Sequence, residues 1–503
     1  MSNLLFDRLL APHQGQDTLF MKTPDGLALT HGAFLDIASQ MANALKEAGL
    51  KPGDRVAVQV AKSPQALALY AASVQSGIVF LPLNTAYTVN ELTYFIQDSG
   101  AAMVICDPSM EAELSPIAAH QNAQVMTLDA KGGGSLTNAA QEQSTLFTPI
   151  SRADDDLAAL LYTSGTTGRS KGAMLSQHNL LSNAETLVET WQFTKKDHLI
   201  HALPIFHTHG LFVASNISLL AGCSLTFMAK FDLDHIIDAL PHATSMMGVP
   251  TFYTRLLDDP RLNADLVQNM RLFISGSAPL LAETHIQFEQ RTGHKILERY
   301  GMTETNMNTS NPYDGDRRAG TVGFPLDGVD IRITDPDTHQ PLPQGEIGMI
   351  EVKGPNVFSG YWNMPEKTQE EFRDDGFFIT GDLGIIDQDG YISIVGRNKD
   401  LIIAGGFNIY PKEIELILDQ QSGVLESAVI GIPHADFGES VIGVLTLENS
   451  ASVDLDAMLK TVGESLARFK HPRQLVVVDE LPRNSMGKVQ KNILRDQFKS
   501  LLD

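Results

Sequence analysis

The sequence predicts an α/β protein with a large N-terminal domain and a smaller α+β C-terminal domain, and three observations carry that reading. Strand-like apolar runs alternate with helix-like segments over much of the chain. The length, 503 residues, exceeds what one hydrophobic core usually serves. The texture changes after Arg397, where a polar interval, Arg397-Asn398-Lys399-Asp400, separates apolar segments. The expected domains are therefore residues 1–397 and 398–503.

In order, residues 55–60 (Arg-Val-Ala-Val-Gln-Val) read as a strand, 64–76 as an Ala/Leu-rich helix closed by Gly77, and 101–107 as the next strand. Residues 157–162 and 173–175 read as two short strands joined in a hairpin. Farther on, 271–275 is strand-like, 282–292 helical and stopped by Gly293, and 295–300 strand-like again. From Pro341 a β-rich section is expected, punctuated by Gly345, Gly348, Gly354 and Gly360. The last part shows a helix near 413–419, strands near 428–432 and 441–447, a helix near 455–466, a strand at 475–478 and a final amphipathic helix. No internal repeat is evident, and Gly132-Gly133-Gly134 reads as a surface turn.

Composition excludes several classes. With 43% hydrophobic and 19% charged residues and no apolar run long enough to span a bilayer, the chain reads as an ordinary globular protein, with no membrane partner. Its start lacks the basic flank and apolar stretch of a signal peptide, and its end, Ser-Leu-Leu-Asp, is no peroxisomal signal, so a cytoplasmic location is expected. A net charge of −23 argues against a nucleic-acid surface; an anionic ligand must be caught by local cations. Cys106 and Cys223 are too few and too far apart for a disulfide framework or a cysteine metal site.

The stretch Tyr162 to Gly172, Tyr-Thr-Ser-Gly-Thr-Thr-Gly-Arg-Ser-Lys-Gly, has the makings of a phosphate cradle without the Gly-Lys-Ser/Thr step of a P-loop. Gly165, Gly168 and Gly172 let backbone N–H groups converge, Thr163, Ser164, Thr166 and Thr167 supply hydroxyls, and Lys171 supplies charge. Taken alone it is also readable as a flexible polar hairpin. Four further stretches stand out: Gly276-Ser277-Ala278-Pro279 after a strand, Glu298-Arg299-Tyr300-Gly301-Met302-Thr303-Glu304, Thr380-Gly381-Asp382, and Arg483-Asn484-Ser485-Met486-Gly487-Lys488 before the last helix. Each has a bland reading beside the functional one: an ordinary turn, an edge-strand salt bridge, an Asp turn, a solvated loop lysine.

In order, Thr163-Ser164-Gly165-Thr166-Thr167-Gly168, Tyr300-Gly301-Met302-Thr303-Glu304, Thr380-Gly381-Asp382, Gly396-Arg397 and Gly487-Lys488 resemble the adenylate-forming acyl-CoA synthetases, and the resemblance spans nearly the whole chain. The resemblance implies ATP, Mg²⁺ and coenzyme A, with acyl-AMP as the intermediate. It would place Thr163, Ser164, Gly165, Thr166, Thr167, Gly168 and Lys171 on the β- and γ-phosphates, Thr303 on the α-phosphate and Glu304 on Mg²⁺. The Gly276, Ser277, Ala278, Pro279 turn and Tyr300 would hold adenine, with Glu298, Gly301 and Met302 in the same nucleotide-binding set. Asp382 would take the ribose hydroxyls, with Arg397 beside it. Lys488 would bridge the attacking carboxylate and the α-phosphate. The family moves its small C-terminal domain between half-reactions about a hinge, here Lys399, which would bring Gly405, Gly406 and Phe407 to coenzyme A. Acylation of Lys488, by a lysine acetyltransferase opposed by a deacetylase, would switch off the first step.

The acyl end is distinctive, because Arg299 stands where many family members carry Gly. A buried guanidinium needs a counter-ion, and either a second substrate carboxylate or internal pairing with Glu298 or Glu304 would supply it. Pro204-Ile205-Phe206-His207-Thr208-His209-Gly210 adds two imidazoles at strand spacing, readable as a shared face, a metal pair or satisfied core histidines. The family's acyl-pocket histidine corresponds to His207. Together His207, Ser277 and Arg299 resemble the carboxylate clamp of malonyl-CoA synthetases, with Met302 also in the implied substrate-binding set, so malonate is the expected acid, with methylmalonate next to it. Another short acid, an adenylation domain serving a carrier protein, and an inactive nucleotide sensor are the competing readings.

Overall fold

The helix Pro64–Ser76 forms where the sequence places it. Ser63 caps it by accepting from Ala66 N, Pro64 opens its first turn, and Gly77 ends it at φ 69°. Every residue from Ala66 to Ser76 is buried, so this helix is covered on all sides. The computed structural model describes residues 3–163, 170–404, 407–434, 437–448, 453–484 and 487–502. The described residues fall into two compact units, one of Met1–Asp330 with Val352–Phe378, the other of Ile331–Glu351 with Ile379–Asp503. The second unit thus begins upstream of the polar interval at residue 397.

The first unit holds two sheets. One has six strands in the order Gln124–Thr127, Met103–Cys106, Arg55–Gln59, Val79–Pro82, Leu157–Thr163 and Lys171–Ser176. The first five are parallel, and the last folds back antiparallel on its neighbour with Thr163 opposite Lys171. The hairpin read from sequence is therefore present, although residues 164–169 at its tip lie outside the described residues. Met103–Cys106 and Val79–Pro82 are buried at every position, as strands covered on both faces require.

The second sheet runs Phe324–Pro325, Asn306–Ser310, Leu297–Met302, Leu272–Ser275, Ser245–Gly248, His198–His201, Ser224–Phe227, Leu19–Lys22 and Ala28–Thr30. Its central strands are parallel, so the turns after Leu272–Ser275 and Leu297–Met302 emerge at the same sheet end, where α/β folds place ligands. The helix Ala282–Thr292 has the bounds expected of it, with Gly293 at φ 78°.

The second unit is α+β. A four-stranded sheet, Asp330–Thr334, Gly348–Lys353, Phe378–Ile386 and Ile392–Arg397, supplies the expected β-rich section. A further sheet is built on the long hairpin Val424–His434 and Gly438–Leu447. One face of that hairpin packs Ile414, Leu418 and Val462, the other Leu481 and Leu494, so the helices Pro411–Leu418, Leu455–Ser465 and Lys491–Phe498 each bury an apolar stripe. No helix among the described residues is long and apolar enough to cross a membrane.

Candidate active site

Glu304 sits at the tip of the turn between Leu297–Met302 and Asn306–Ser310, whose pairing slips by one residue between Tyr300 and Gly301. Asn306 takes φ 50°, and the Thr305 amide donates to the Met302 carbonyl, which closes the turn. Glu304 is buried, whereas Tyr300, Gly301, Met302 and Thr303 beside it are half-buried. Thr163 Oγ1 is 3.5 Å and Tyr361 Oη 3.0 Å from Glu304 Oε1. The same Tyr361 hydroxyl lies 2.7 Å from Glu371 Oε2, and Lys171 Nζ is 2.8 Å from Glu371 Oε1. Lys171 also stands 4.0 Å over the Tyr361 ring.

The hairpin strand end, the Glu304 turn and the 361–371 segment therefore form one chain of contacts: Thr163, Glu304, Tyr361, Glu371, Lys171. Sequence reasoning had found three of these residues and missed Tyr361 and Glu371. A single phenol proton is shared between two carboxylates, and Lys367, 3.2 Å from Glu371 Oε1, joins Lys171 on the second of them. A buried carboxylate reached by neutral hydroxyls suits Mg²⁺, which takes one or two protein carboxylates and completes its shell with water and phosphate oxygens.

Glu298 is engaged elsewhere. Its Oε1 lies 3.7 Å from His285 Nδ1 and accepts from the Gly320 amide at 3.4 Å, and burial raises its pKa. The structure does not bring its side chain to the Glu304 group. In the Gly276–Pro279 turn, Ser277 adopts φ 72°, a left-handed conformation unusual for a side chain with a Cβ.

Arg299 is 4% exposed and forms no ion pair among the described residues; the alternative of internal pairing with Glu298 or Glu304 is not what the fold provides. Its Nε and Nη2 have no hydrogen-bond partner. Burial pulls its pKa down to about 9. It lies against Gly276, where a Cβ would come within 2.4 Å of Arg299 Cζ, so only a residue without a side chain leaves room for the guanidinium. Burial, with the Arg299 charge second, lowers His207 to about 4 and holds His209 well below its ordinary value. Both imidazoles are therefore neutral at pH 7. Ser277 Oγ is 3.2 Å from His209 Nδ1, and His209 Nε2 has no partner.

His207 and His209 do not lie on a strand, so their strand spacing does not give them a shared strand face. Strand His198–His201 ends earlier, a turn follows, and His209–Ser215 is a π-helical turn. His207 and His209 meet the Arg299 charge through this turn, not through strand alternation. Gly210 permits it: a Cβ there would lie 2.0 Å from the Pro204 carbonyl oxygen. Among the described residues no cluster of three or more His, Cys, Asp or Glu side chains could hold a metal ion.

In the second unit, Asp382 and Arg397 are cross-strand partners, with Arg397 Nε 2.8 Å from Asp382 Oδ1. Thr380 supports both: its Oγ1 accepts from the Asp382 amide at 3.0 Å and its carbonyl from Arg397 Nη1 at 3.3 Å. Lys488 lies within electrostatic range of Arg397, Asp382, Asp400 and Lys399. Burial, then the Arg397 charge, pulls it down to about 8. Its loop is tied by Asn484 N to Lys488 O and by Arg483, which reaches the Gly487 carbonyl at 2.7 Å and the Glu426 carboxylate. Phe407 is 52% exposed and stacked on Phe469; Gly405 and Gly406 lie outside the described residues.

This arrangement has counterparts. The family model of AMP-binding enzymes matches residues 11–362, and that of the AMP-binding enzyme C-terminal domain matches 413–488. A malonate–CoA ligase of Arabidopsis thaliana is 34% identical over 485 residues, covering 90% of this chain and 79% of its own. A sulfoacetate–CoA ligase of Cupriavidus necator is 34% identical, covering 95% of this chain and 94% of its own. Among solved structures, ATP-bound MatB from Rhodopseudomonas palustris is 58% identical with a TM-score of 0.98, each chain covered completely.

Proposed function

This chain belongs to the AMP-binding enzyme family, and we propose that it joins malonate to coenzyme A at the expense of ATP, through malonyl-AMP, with AMP and pyrophosphate released. The observation that carries the choice of acid is Arg299: a buried guanidinium with two nitrogens lacking partners, beside two neutral histidines. A monocarboxylate would use its one charge at phosphorus and leave that cation uncompensated; a short diacid supplies the second charge. Methylmalonate is a second substrate, because one added methyl changes binding only modestly.

The chemistry begins with repulsion between a carboxylate and a triphosphate. Lys171 and the hairpin hydroxyls hold the β- and γ-phosphates, and Thr303 contacts the α-phosphate. Glu304 would hold Mg²⁺, which would supply positive charge against the triphosphate. Asp382, with Arg397, holds the ribose, and the Gly276–Pro279 turn and Tyr300 flank adenine. His207, Ser277, Met302 and Arg299 orient the acid so that its free carboxylate attacks the α-phosphorus while Lys488 screens the charge on both partners. Pyrophosphate leaves. The coenzyme A thiolate then attacks the mixed anhydride, and AMP departs. Residues 398–503 act as the mobile domain about Lys399, bringing the 405–407 loop to coenzyme A for the second step. Acetylation of Lys488 abolishes the first step, and a cytoplasmic site of action completes the reading.

The second reading is a ligase for another short acid bearing a second negative group, favoured by the 34% identity to a sulfoacetate–CoA ligase. Pyrophosphate exchange measured with malonate, methylmalonate, succinate, sulfoacetate and acetate separates the cases. Malonate should give the highest kcat/KM. A higher value for sulfoacetate or acetate moves the assignment to that acid, and no exchange with any acid points to a nucleotide sensor.

A further inference from the structure

Lys62 is 8% exposed, and no carboxylate pairs with it among the described residues. Its Nζ donates to the carbonyls of His201 and Leu203, both at 2.8 Å, and lies 3.0 Å from His201 Nδ1. Three acceptors thus match the three N–H bonds of an ammonium. The Phe227 ring lies 4.2 Å away beneath it. His201, wholly buried, continues the chain: its Nε2 is 2.9 Å from the Gly210 carbonyl oxygen and 3.2 Å from Ser215 Oγ. With Nε2 donating to that carbonyl, Nδ1 is free to accept from Lys62.

The segment between these anchors carries His207 and His209. Lys62 grips its entry, at His201 and Leu203, while His201 grips its exit, at Gly210. Pro204 O stands so close to Gly210 that no Cβ fits between them, so entry and exit also touch. Burial drives the Lys62 pKa well down, which is a cost to the fold that an apolar side chain of similar length would not incur. That cost is set against the three buried acceptors Lys62 satisfies, which hold the loop that follows His201 in place.

We infer that Lys62 is a positioning residue for the acid end of the active site: with His201 it fixes the loop that sets His207 and His209 beside Arg299. This rests on the reading of that end given above. A shift of about 1 Å in a positioning group costs on the order of a hundredfold in rate, without contact to substrate.

The test is Lys62→Met in the full chain, followed by pyrophosphate exchange with malonate and ATP varied separately, and by thermal melting. Expected are a roughly tenfold or greater rise in KM for malonate or fall in kcat, a KM for ATP changed by less than about twofold, and a melting temperature below that of the parent, because two carbonyls and His201 Nδ1 lose their donor. Unchanged malonate kinetics overturn the inference, as does a parallel loss for malonate and ATP. Lys62→Gln, which keeps a shorter donor, should fall between parent and Lys62→Met; should neither variant fold, the lysine is a structural requirement and the inference fails. Arg299→Gly run alongside keeps the two readings apart. Malonate use surviving Arg299→Gly removes the acid site itself, whereas its loss there with no effect at Lys62 removes only the loop assignment.

Discussion

Lys171 Nζ lies 2.8 Å from Glu371 Oε1, so the cation of the phosphate hairpin already has a carboxylate partner 200 residues away in sequence. On the proposed reading, the triphosphate must displace Glu371 to claim that charge. Glu371→Gln should therefore lower KM for ATP by about threefold to tenfold, and Lys171→Ala should raise it by about tenfold or more, as expected for a charge-assisted hydrogen bond of roughly 1.5–3 kcal/mol. Initial rates of pyrophosphate exchange at varied ATP check both. If both variants raise KM alike, Glu371 serves to orient Lys171 and does not compete with ATP.

Arg299 is the proposed specificity determinant. Removing one member of a buried charge pair costs about 2–5 kcal/mol, so Arg299→Gly should cut kcat/KM for malonate by roughly thirtyfold or more. Exchange with a short monocarboxylate should be retained or gained. Unaltered malonate kinetics would exclude this arginine from the clamp.

In the proposed mechanism Lys488 sets a pH limit on one half-reaction only. Its pKa lies near 8 and it works as the charged ammonium, so kcat/KM for acyl-AMP formation should fall about tenfold per unit above that pH. Thioester formation from preformed acyl-AMP should not follow this titration. Lys488→Ala should likewise abolish the first step and largely spare the second. Equal loss in both steps contradicts the role.

Arg483 bridges the Glu426 carboxylate and the Gly487 carbonyl, next to Lys488. Arg483→Met should slow adenylation by about tenfold while leaving thioester formation from acyl-AMP within about twofold, since only the first step needs Lys488 in place. Single-turnover assays of the two steps supply the comparison, and a uniform loss identifies general damage to the loop.

His31 is 1% exposed and stacks on His13 with ring centroids 4.2 Å apart. Its pKa in the folded chain, about 4, lies below the ordinary 6.5. The unfolded chain therefore binds the proton first, and stability present above pH 6.5 is lost as pH falls toward 4. His31→Phe keeps a ring in the stack and removes the titration. It should retain about 1 kcal/mol relative to the parent at pH 5, allowing for screening, with little difference at pH 7. Denaturant melts at both pH values measure this; equal acid losses would assign the acid limb to other groups.

Local signals were legible wherever a few neighbouring residues decide the outcome. Pro64 and Gly77 bound one helix, Gly293 closes another, and the glycines after Tyr162 mark the hairpin, because helix-end and turn chemistry act over single turns. The alternation of strands and helices was equally visible, and so was the oddity of Arg299. The strand spacing of His207 and His209 misled as to a shared strand face, because spacing is blind to the Pro204 carbonyl packed against Gly210.

By itself, then, the sequence determined the α/β class, the order of the motifs and the identities of the charges on offer: Lys171, Arg299, Glu304, Asp382 and Lys488. Only the tertiary structure decided which of those charges are already answered. Lys171 meets Glu371, Arg397 meets Asp382, Lys62 closes on His201 across 139 residues, and Arg299 keeps two nitrogens without a partner. Periodicity and capping report forces along the chain. Ion pairing and burial depend on which distant strand ends the sheet topology brings together, and no local pattern carries that information.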